Sequence, residues 1–397
     1  MSRFSALCAY TAEVLAFDFA GRAANAPLPL PVEPGAEALA KLTARTLGAF
    51  QRSGAARLVL LGVASGALAR EVAHELPPGA LCVCELDAAL ARGLRGAGRL
   101  EWWNEAGAAG FVADASPWAV LALLESAGFG PGRALVLPNP ELPPQAKQAL
   151  RPLELLLTKS RPVALPELSE LAGPPRLSAA AILSPTEPDL PEFFAQFPPW
   201  LEELVLVWDA ETVPDVTLPH RHFAVRQLAR PLDADFSAQR NAMLAACAGE
   251  WVLYLDADER LSPEAWAAVP RLCAAGMAGW HFPRVTPYPT PDRALVGFGL
   301  WPDIQLRLFR NAPGLAFANP VHERLTGLAG PQALALGLEI EHLSRLRKNE
   351  DQLRNKLSGF DLAGAGRVRH ALSAEYPSVP RGLVSPSLAP LGRDPLG

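Results

Sequence analysis

The sequence predicts an α/β protein made of two successive blocks, the first of them a doubly wound sheet. Two observations carry this prediction: short apolar runs alternate with segments of helical period, and polar residues directly follow several of the runs. With 397 residues, 50% of them hydrophobic, the chain is long enough for two or three domains with sizeable cores. We divide it into a first domain at 1–161, a linker at 162–176, a second domain at 177–375 and a proline-rich tail at 376–397, expected to be disordered.

The first block has the pattern of a parallel sheet whose strands are buried on both faces. Apolar runs predict strands at 58–61, 80–84 and 134–137, and helical patterns predict helices at 68–76, 88–94, 118–124 and 145–156. The segment at 162–175 is rich in Pro and Leu, which is typical of a connection between blocks.

The second block repeats the alternation with more strands. Strands are predicted at 179–183, 204–208, 223–225, 251–255, 279–282, 305–309 and 338–340, with a helix at 237–247. Residues 251–255 form the clearest buried strand, because five apolar residues stand together before a run of charges. A charged helix is expected after His342.

Composition narrows the class of protein. A net charge of -5 argues against a general nucleic-acid binder. The five cysteines are scattered without a CxxC pair, which favours buried thiols in a reducing compartment over a zinc site. No apolar run reaches the ~18 residues of a membrane span, and Glu13 and Asp18 interrupt the N-terminal apolar stretch, so we expect a cytoplasmic protein. Peripheral membrane contact through residues 346–362 stays open.

An acidic cluster directly follows the clearest strand. Asp256, Asp258 and Glu259 come after residues 251–255, at the strand end where open α/β sheets bind ligands. Two carboxylates at this spacing can converge on one hard cation, Mg2+ or Mn2+, which shares its other positions with phosphates. A solvated turn that caps a helix starting at Ser262 is one alternative. A phosphatase-type Asp-x-Asp is another, which Arg260 disfavours.

Polar residues end two further strands of the same block. Thr186 and Glu187 follow the first strand, and Asp209 ends the second. The segment from Asp235 to Asn241 opens the helix that leads into the acidic strand, where helix capping is the simpler explanation. All four segments together indicate one cleft.

These motifs resemble the family 2 glycosyltransferases of GT-A fold, over about residues 177–360. The nearest branch is that of the bacterial lipopolysaccharide-core and SunS-like enzymes. The matching positions are Thr186-Glu187; Asp209, Asp215 and Thr217; Asp235-Phe236-Ser237, Arg240 and Asn241; Trp251 through Glu259; Arg307 to Arg310; Val321-His322-Glu323; and Ile340, His342 and Lys356. The usual Gly-Ser of the second motif is replaced by Glu211, Thr212 and Pro214.

The resemblance implies a metal-dependent, inverting transferase of hexosyltransferase type. The donor would be a nucleotide sugar, with a UDP-sugar as the first candidate, and the acceptor would be a glycan, a lipid or a protein. Donor contacts would come from Thr186, Glu187, Asp209, Arg240, Asn241 and Asp256; metal ligands from Asp256, Asp258 and His322; and the base from Glu323, Asp303 or His322.

The first block resembles a Rossmann-like methyltransferase core. Gly62 and Gly66 follow its first strand, and Glu85 ends the next at near the ~20-residue spacing of nucleotide-binding units. The full glycine run is missing, so a tight turn in a structural or degenerate domain fits the same residues. A bifunctional protein with a methyltransferase-like first domain, and a non-catalytic nucleotide-binding or scaffold module, are therefore the alternatives.

Overall fold

The protein is a mixed α/β structure with two compact units. The computed structural model describes residues 3–17, 29–103, 109–218, 222–320, 322–347, 351, 376–384 and 389–393. The first unit comprises residues 1–161, 292–303 and 375–388, and the second comprises 162–291, 304–374 and 389–397. The two later segments of the first unit lie inside the stretch expected to be one second domain and a tail, and no sequence pattern indicated their assignment.

The described helices and strands follow most of the predicted positions. The α-helices are α1 (Arg3–Ala16), α2 (Ala36–Ser53), α3 (Ala67–Glu75), α4 (Ala88–Gly96), α5 (Pro117–Ala127), α6 (Pro144–Lys159), α7 (Leu190–Ala195), α8 (Phe236–Ala246), α9 (Pro263–Ala274) and α10 (Ser344–Arg347). The strands are β1 (Leu58–Leu61), β2 (Leu81–Glu85), β3 (Ala109–Ala113), β4 (Leu135–Pro138), β5 (Arg161–Pro162), β6 (Leu177–Leu183), β7 (Glu203–Trp208), β8 (Ala224–Ala229), β9 (Trp251–Tyr254), β10 (Glu259–Leu261), β11 (Gly279–Val285), β12 (Arg293–Leu295), β13 (Asp303–Arg310), β14 (Ala316–Ala318), β15 (Arg324–Thr326), β16 (Gln332–Leu334), β17 (Ile340–His342), β18 (Ser378–Pro380) and β19 (Leu391–Arg393).

The first unit contains a four-stranded parallel sheet in the order β3-β2-β1-β4. Strand β3 was not expected, because Ala109, Gly110 and Ala113 are poor strand formers. Gly110 is needed there for packing: a Cβ would lie 3.0 Å from the Phe4 ring and 3.1 Å from Cys82 Sγ. Helix α1 can therefore approach the sheet closely at this strand.

The second unit is organised around a larger mixed sheet, in the order β5-β19-β16-β11-β13-β9-β6-β7-β8, with β17 bridging β10 and β11. Strands β7 and β9 flank β6 in parallel, β8 continues in parallel from β7, and β13 runs antiparallel to β9. The strand order reverses at β6, so the carboxyl ends of β6 and β9 bound a crevice of the kind where α/β proteins bind ligands.

The proline-rich tail was expected to be disordered, and this expectation is wrong for its described residues. Residues 378–380 form β18, which pairs antiparallel with β12, and residues 391–393 form β19, which pairs with β16. Three-residue strands need little hydrophobic periodicity, and proline is tolerated at strand ends and sheet edges.

Two composition-based expectations can be compared with the structure. All five cysteines are free and buried, as expected. Among the described residues, no helix is long and apolar enough to cross a membrane.

A buried acid fixes α1 to the first unit's sheet. Asp114 follows β3 and is fully buried; Tyr10 of α1 donates a 2.6 Å hydrogen bond to its Oδ2, and the Ser116 N–H donates to its Oδ1 at 2.7 Å. Burial raises the pKa of Asp114 to about 6, although both hydrogen bonds act in the opposite direction.

This raised pKa predicts a pH-dependent loss of stability. Unfolded Asp titrates near ~3.9, so the folded state holds the extra proton between about pH 4 and 6, and the unfolding free energy should fall as the pH rises through that window, by at most about 3 kcal/mol. The Asp114→Asn side chain can still accept the Ser116 N–H with its oxygen and can donate its amide N–H to the Tyr10 hydroxyl, and it cannot titrate. The melting temperature of the variant should therefore rise relative to that of the wild type from pH 4.5 to 7. Parallel curves of melting temperature against pH would exclude Asp114 as the cause.

Candidate active site

A cavity of about 650 Å³ opens at the carboxyl ends of β6 and β9 in the second unit. Most of its lining residues are charged, histidine or aromatic; the lining comprises Ile182, Glu187, Phe236, Arg240, Tyr254, Asp256, Ala257, Asp258, Arg284, Gln305, Arg307, His322, Glu323, Arg324, His342 and Ser344. Its volume suits a ligand of nucleotide size.

The acidic loop after β9 is closed by its own backbone and by Glu259. The Glu259 N–H donates to the Asp256 carbonyl at 2.9 Å, and the Asp256 N–H donates to Glu259 Oε2 at 3.0 Å. Glu259 is fully buried at the start of β10, so it acts from behind the cavity and does not face it. The turn thereby presents Asp256 and Asp258 to the cavity side.

Six side chains of alternating charge run through this wall, and we call them the ion-pair chain. In order they are Glu323, Arg240, Asp256, Arg307, Glu259 and Arg284. Arg240 Nε donates to Glu323 and its Nη2 to Asp256 Oδ1 at 2.8 Å. Arg307 Nη2 reaches Asp256 Oδ2 at 2.9 Å and Glu259 Oε1 at 2.6 Å. Arg284 Nη1 completes the chain at 3.0 Å from Glu259 Oε1.

The centre of the chain is Asp256. Burial alone would raise its pKa, but Arg307 and Arg240 outweigh burial and hold the pKa of Asp256 well below its usual value. The same two guanidinium groups lie over the Tyr254 ring, with their carbons 4.6 Å and 4.8 Å from its centroid. Tyr254 thus contacts both of the guanidinium groups that Asp256 binds.

Asp258 has a different partner. His342 Nε2 lies 3.7 Å from Asp258 Oδ1, and both residues line the cavity. Antiparallel pairing of β10 with β17 places Glu259 opposite His342, which brings the neighbouring Asp258 to that histidine. A carboxylate and an imidazole side by side are suitable ligands for a divalent cation such as Mn2+.

Helix α8 supplies the other wall of the cavity. Asp235 caps its N-terminus by accepting a 3.0 Å hydrogen bond from the Ala238 N–H, as its position before the helix indicated. One and a half turns later, Arg240 faces the cavity, whereas Asn241 faces β14 and exchanges two hydrogen bonds with the Phe317 backbone.

The structure brings together six of the ten predicted site residues. Glu187, Arg240, Asp256, Asp258, His322 and Glu323 line the cavity. His322 does so with a positive φ of 54°, which is rare for a residue with a side chain.

The other four predicted residues do not line it. Thr186 is exposed and hydrogen-bonds Ser184 at 2.9 Å, and Asp209 uses Oδ1 to accept the Leu232 N–H at 2.8 Å. The Asn241 side chain forms both of its hydrogen bonds with the Phe317 backbone. Asp303 is the first residue of β13 and belongs to the first unit, since the chain enters the second unit only at Ile304. Spacing along the sequence placed these residues near the cavity but could not show which way they face. Val321, Lys356 and most of 346–362 lie outside the described residues.

Sequence reasoning gave no role to Arg284, Arg307 or His342, although two of them fell in matched motifs. Gln305 and Arg307 lie two residues apart on β13, and strand alternation puts both on one face. Polar residues at that period in an otherwise apolar strand were the signal for Arg307. Arg284 carries no such signal, because it becomes significant only through Glu259 on a different strand.

The corresponding crevice of the first unit is filled by the protein itself. Its strand order reverses between β1 and β4. Gly62 has a φ of +86°, and a Cβ there would lie 2.4 Å from Leu142 Cδ1, so the space that glycine leaves is taken by leucine. Glu141 accepts from Ser65 Oγ at 2.5 Å and from the Leu68 N–H at 2.9 Å, at the N-terminus of α3 where a ligand anion would bind.

Glu85, the acid at the spacing typical of nucleotide-binding units, is also held by internal hydrogen bonds. Glu85 Oε2 accepts the Val63 N–H at 3.0 Å, and its Oε1 accepts the Leu86 and Asp87 N–H groups at 2.9 Å each. Burial raises the pKa of Glu85 in spite of these bonds. The first unit therefore has the strand order of a nucleotide-binding sheet with its crevice closed by internal contacts.

Comparison with known proteins gives only distant or partial likenesses. No family model matches the chain. A TPR repeat-containing protein of Synechococcus elongatus is 40% identical over 90 residues, which are 22% of this chain and 20% of that protein, so the chain spans about a fifth of the curated relative it matches.

Three solved structures show weak similarity. A mannosyltransferase from Pyrobaculum calidifontis, in complex with GDP-Man and Mn2+, is 20% identical with a TM-score of 0.26 over 31% of this chain and 39% of that one. TarS from S. aureus is 18% identical, TM-score 0.28, over 36% and 30%. GalNAc-T7 with UDP, GalNAc and Mn2+ is 11% identical, TM-score 0.30, over 55% and 56%. Scores this low do not assign an activity to this chain.

The ion-pair chain predicts an unusually large effect for one neutral substitution. Glu259→Gln removes the carboxylate that Arg284 contacts and one of the two carboxylates that Arg307 contacts, and removing one partner of a buried pair costs about 3–5 kcal/mol. Glu250→Gln is the matched control, because Glu250 is exposed and 4.0 Å from Arg176; a surface change of this kind stays within about 0.5 kcal/mol. Urea unfolding followed by circular dichroism measures both. Equal midpoints for the two variants would contradict a structural role for the chain.

Proposed function

We propose that the second unit is a metal-dependent, inverting glycosyltransferase of GT-A type. It would move a sugar from a nucleotide-sugar donor, first of all a UDP-sugar, to a hydroxyl of a glycan, lipid or protein. The observation that carries the proposal is the Asp258–His342 pair facing the same cavity as Glu323 and three ion-paired arginines. This combination supplies a cation site, a base and hydrogen-bond donors for an anion, at the point where the strand order of the sheet reverses.

The residues present fit a divalent cation at Asp258 and His342. Asp256 fits less well than the resemblance implied, because each of its carboxylate oxygens already accepts a guanidinium N–H. Among the described residues, no three His, Cys, Asp or Glu side chains form a ready metal cluster. Oxygens of the donor diphosphate and water would complete the coordination, as is usual for Mg2+. His322 remains a proposed third contact, to metal or phosphate.

The charge balance of the cavity supports a cation-bound diphosphate. Four arginines and four carboxylates line it: Arg240, Arg284, Arg307 and Arg324 with Glu187, Asp256, Asp258 and Glu323. A donor diphosphate adds about two negative charges that this balanced wall does not offset. A divalent cation would supply the missing charge and stabilise the nucleoside diphosphate as it leaves.

Two arginines of the cavity wall are incompletely hydrogen-bonded. Arg240 Nη1 and Arg307 Nε have no hydrogen-bond partner among the described residues, although both side chains are more than nine-tenths buried. An unmet guanidinium N–H is costly in a buried site. Both nitrogens are enclosed, so the two guanidiniums would act on a donor diphosphate through their charge, while the ion-pair chain holds them in place.

Glu323 is the proposed general base. An inverting transfer needs a base that removes the acceptor proton as the hydroxyl attacks the anomeric carbon. Glu323 lines the cavity, and its contact with Arg240 keeps the carboxylate oriented. Asp303 is the weaker candidate because it is absent from the cavity lining.

The metal proposal predicts a chelator-sensitive activity. We expect the protein to release nucleoside diphosphate slowly from at least one nucleotide sugar in Mn2+ or Mg2+, with water as acceptor, and to stop in EDTA. Asp258→Asn and His342→Gln should each lower the rate at least ~10-fold at limiting Mn2+ and raise the Mn2+ concentration needed for half-maximal rate. Glu202→Gln, an exposed acid paired with Arg176, is the control that should retain wild-type kinetics. Release that is indifferent to EDTA and to both variants would contradict the proposal.

The base proposal predicts a separation of binding from chemistry. Glu323→Gln can still accept the Arg240 N–H but cannot take a proton, so kcat should fall about 10²–10⁴-fold with the donor KM within about twofold. Initial rates at saturating Mn2+ measure both quantities. A raised donor KM with an unchanged kcat would instead make Glu323 a donor contact.

A further inference from the structure

Asn241 follows Arg240 on α8, yet it points to a different part of the molecule. Its Nδ2 donates to the Phe317 carbonyl at 2.9 Å, and its Oδ1 accepts the Phe317 N–H at 2.8 Å. One amide side chain thus satisfies both backbone groups of one residue in β14, as a neighbouring strand would. Asp and Ala cannot make this pair of bonds, since Asp lacks the donor and Ala lacks both groups.

The Phe317 position controls the hairpin that carries Glu323. Strands β14 and β15 pair with Phe317 opposite Leu325 and Ala318 opposite Arg324, so Glu323 is the residue just before the paired segment. The Phe317 side chain is buried against Tyr254, with ring centroids 5.5 Å apart. A shift of Phe317 would therefore be transmitted to the residue preceding Arg324.

Helix α8 holds this hairpin loop at three points. The Phe236 N–H donates to the Pro320 carbonyl at 3.0 Å, Arg240 binds the Glu323 carboxylate, and Asn241 binds Phe317. The contact of Arg240 fixes the carboxylate, whereas the other two fix the backbone from which Glu323 extends.

We propose that Asn241 is a positioning residue for Glu323, and not a contact of the donor. The proposal rests on the proposed function, in which Glu323 is the base. Misplacing a catalytic group by about 1 Å can cost ~10²-fold in rate. Because Asn241 does not line the cavity, its loss should leave donor binding intact.

A double-mutant cycle tests this coupling. Asn241→Ala, Glu323→Gln and the double variant are compared by kcat and donor KM at saturating Mn2+. We expect Asn241→Ala to lower kcat at least ~10-fold in the wild-type background, but less than about twofold when residue 323 is Gln, because there is no base left to misplace. The donor KM should stay within about twofold throughout.

A control and a second variant guard against a general folding defect. Asn311 is a matched amide clamp, since its Nδ2 donates to the Cys247 and Gly249 carbonyls at 3.1 Å and 3.0 Å, and it is not part of the cavity lining. Asn311→Ala should reduce thermal stability without changing kcat. If Asn241→Ala does not fold, Asn241→Asp keeps the acceptor for the Phe317 N–H and is expected to show the same coupling.

Three results would overturn the proposal, and they are distinguishable. An equal loss of kcat in both backgrounds would make Asn241 independent of Glu323. A raised donor KM would make it a donor contact. Failure of the wild-type protein to release nucleotide from any donor would remove the proposed function itself, and the positioning role with it.

Discussion

The ion-pair chain from Glu323 to Arg284 is the constraint on which the candidate site depends. Six charges alternate over the loop after β9, strands β10, β11 and β13, helix α8 and the loop before β15, so no carboxylate in the ion-pair chain is buried without a guanidinium beside it. Burying an unpaired ion is energetically costly, and removing one member of the chain leaves a neighbouring buried charge without one of its partners. The chain therefore fixes the relative positions of the acidic loop and the Glu323 hairpin before any ligand binds, which is the kind of preorganisation that electrostatic catalysis needs.

The same local strand order is accompanied by a filled crevice in the first unit and by an open crevice in the second. Strand β1 of the first unit and strand β6 of the second each have a parallel neighbour on both sides. In both units polar residues follow the strands at the point where the strand order reverses. In the first unit Glu141 and Leu142 fill the crevice, and Glu85 binds the backbone of its own loops. In the second unit the crevice is open, and Asp256 and Glu323 on its wall pair with Arg240 and Arg307.

Much of the fold could be predicted because the strands are continuous apolar runs. Residues 58–61 and 204–208 become β1 and most of β7, and the helix expected at 237–247 is α8 within one residue. Strand β3 was missed because its small residues have weak strand propensity, and their role is to admit α1. The short tail strands β18 and β19 carry no periodic pattern, since they depend on pairing partners distant in sequence.

Candidate site residues could be predicted where they stand in a sequence motif. They could not be predicted where their place in the site depends on the direction of the side chain. Asp256 and Asp258 were predicted because they directly follow an apolar strand, whereas Arg240 and Glu323 were predicted from the family resemblance of their motifs. Sequence could not show that Asn241 turns away from Arg240, since adjacent helical positions point about 100° apart and either could face the cavity. Arg284 and His342 gain their roles only through strand pairing, with Glu259 at 3.0 Å and Asp258 at 3.7 Å.

The most direct test of the central claim is the position of a bound metal. Crystals of the full chain soaked with UDP or GDP and Mn2+ should show an anomalous peak between Asp258 and His342, about 2.0–2.3 Å from a carboxylate oxygen and an imidazole nitrogen, with the diphosphate beside Arg240 and Arg307. A nucleotide and metal bound elsewhere, or a cavity that stays free of both at saturating concentrations, would contradict the account.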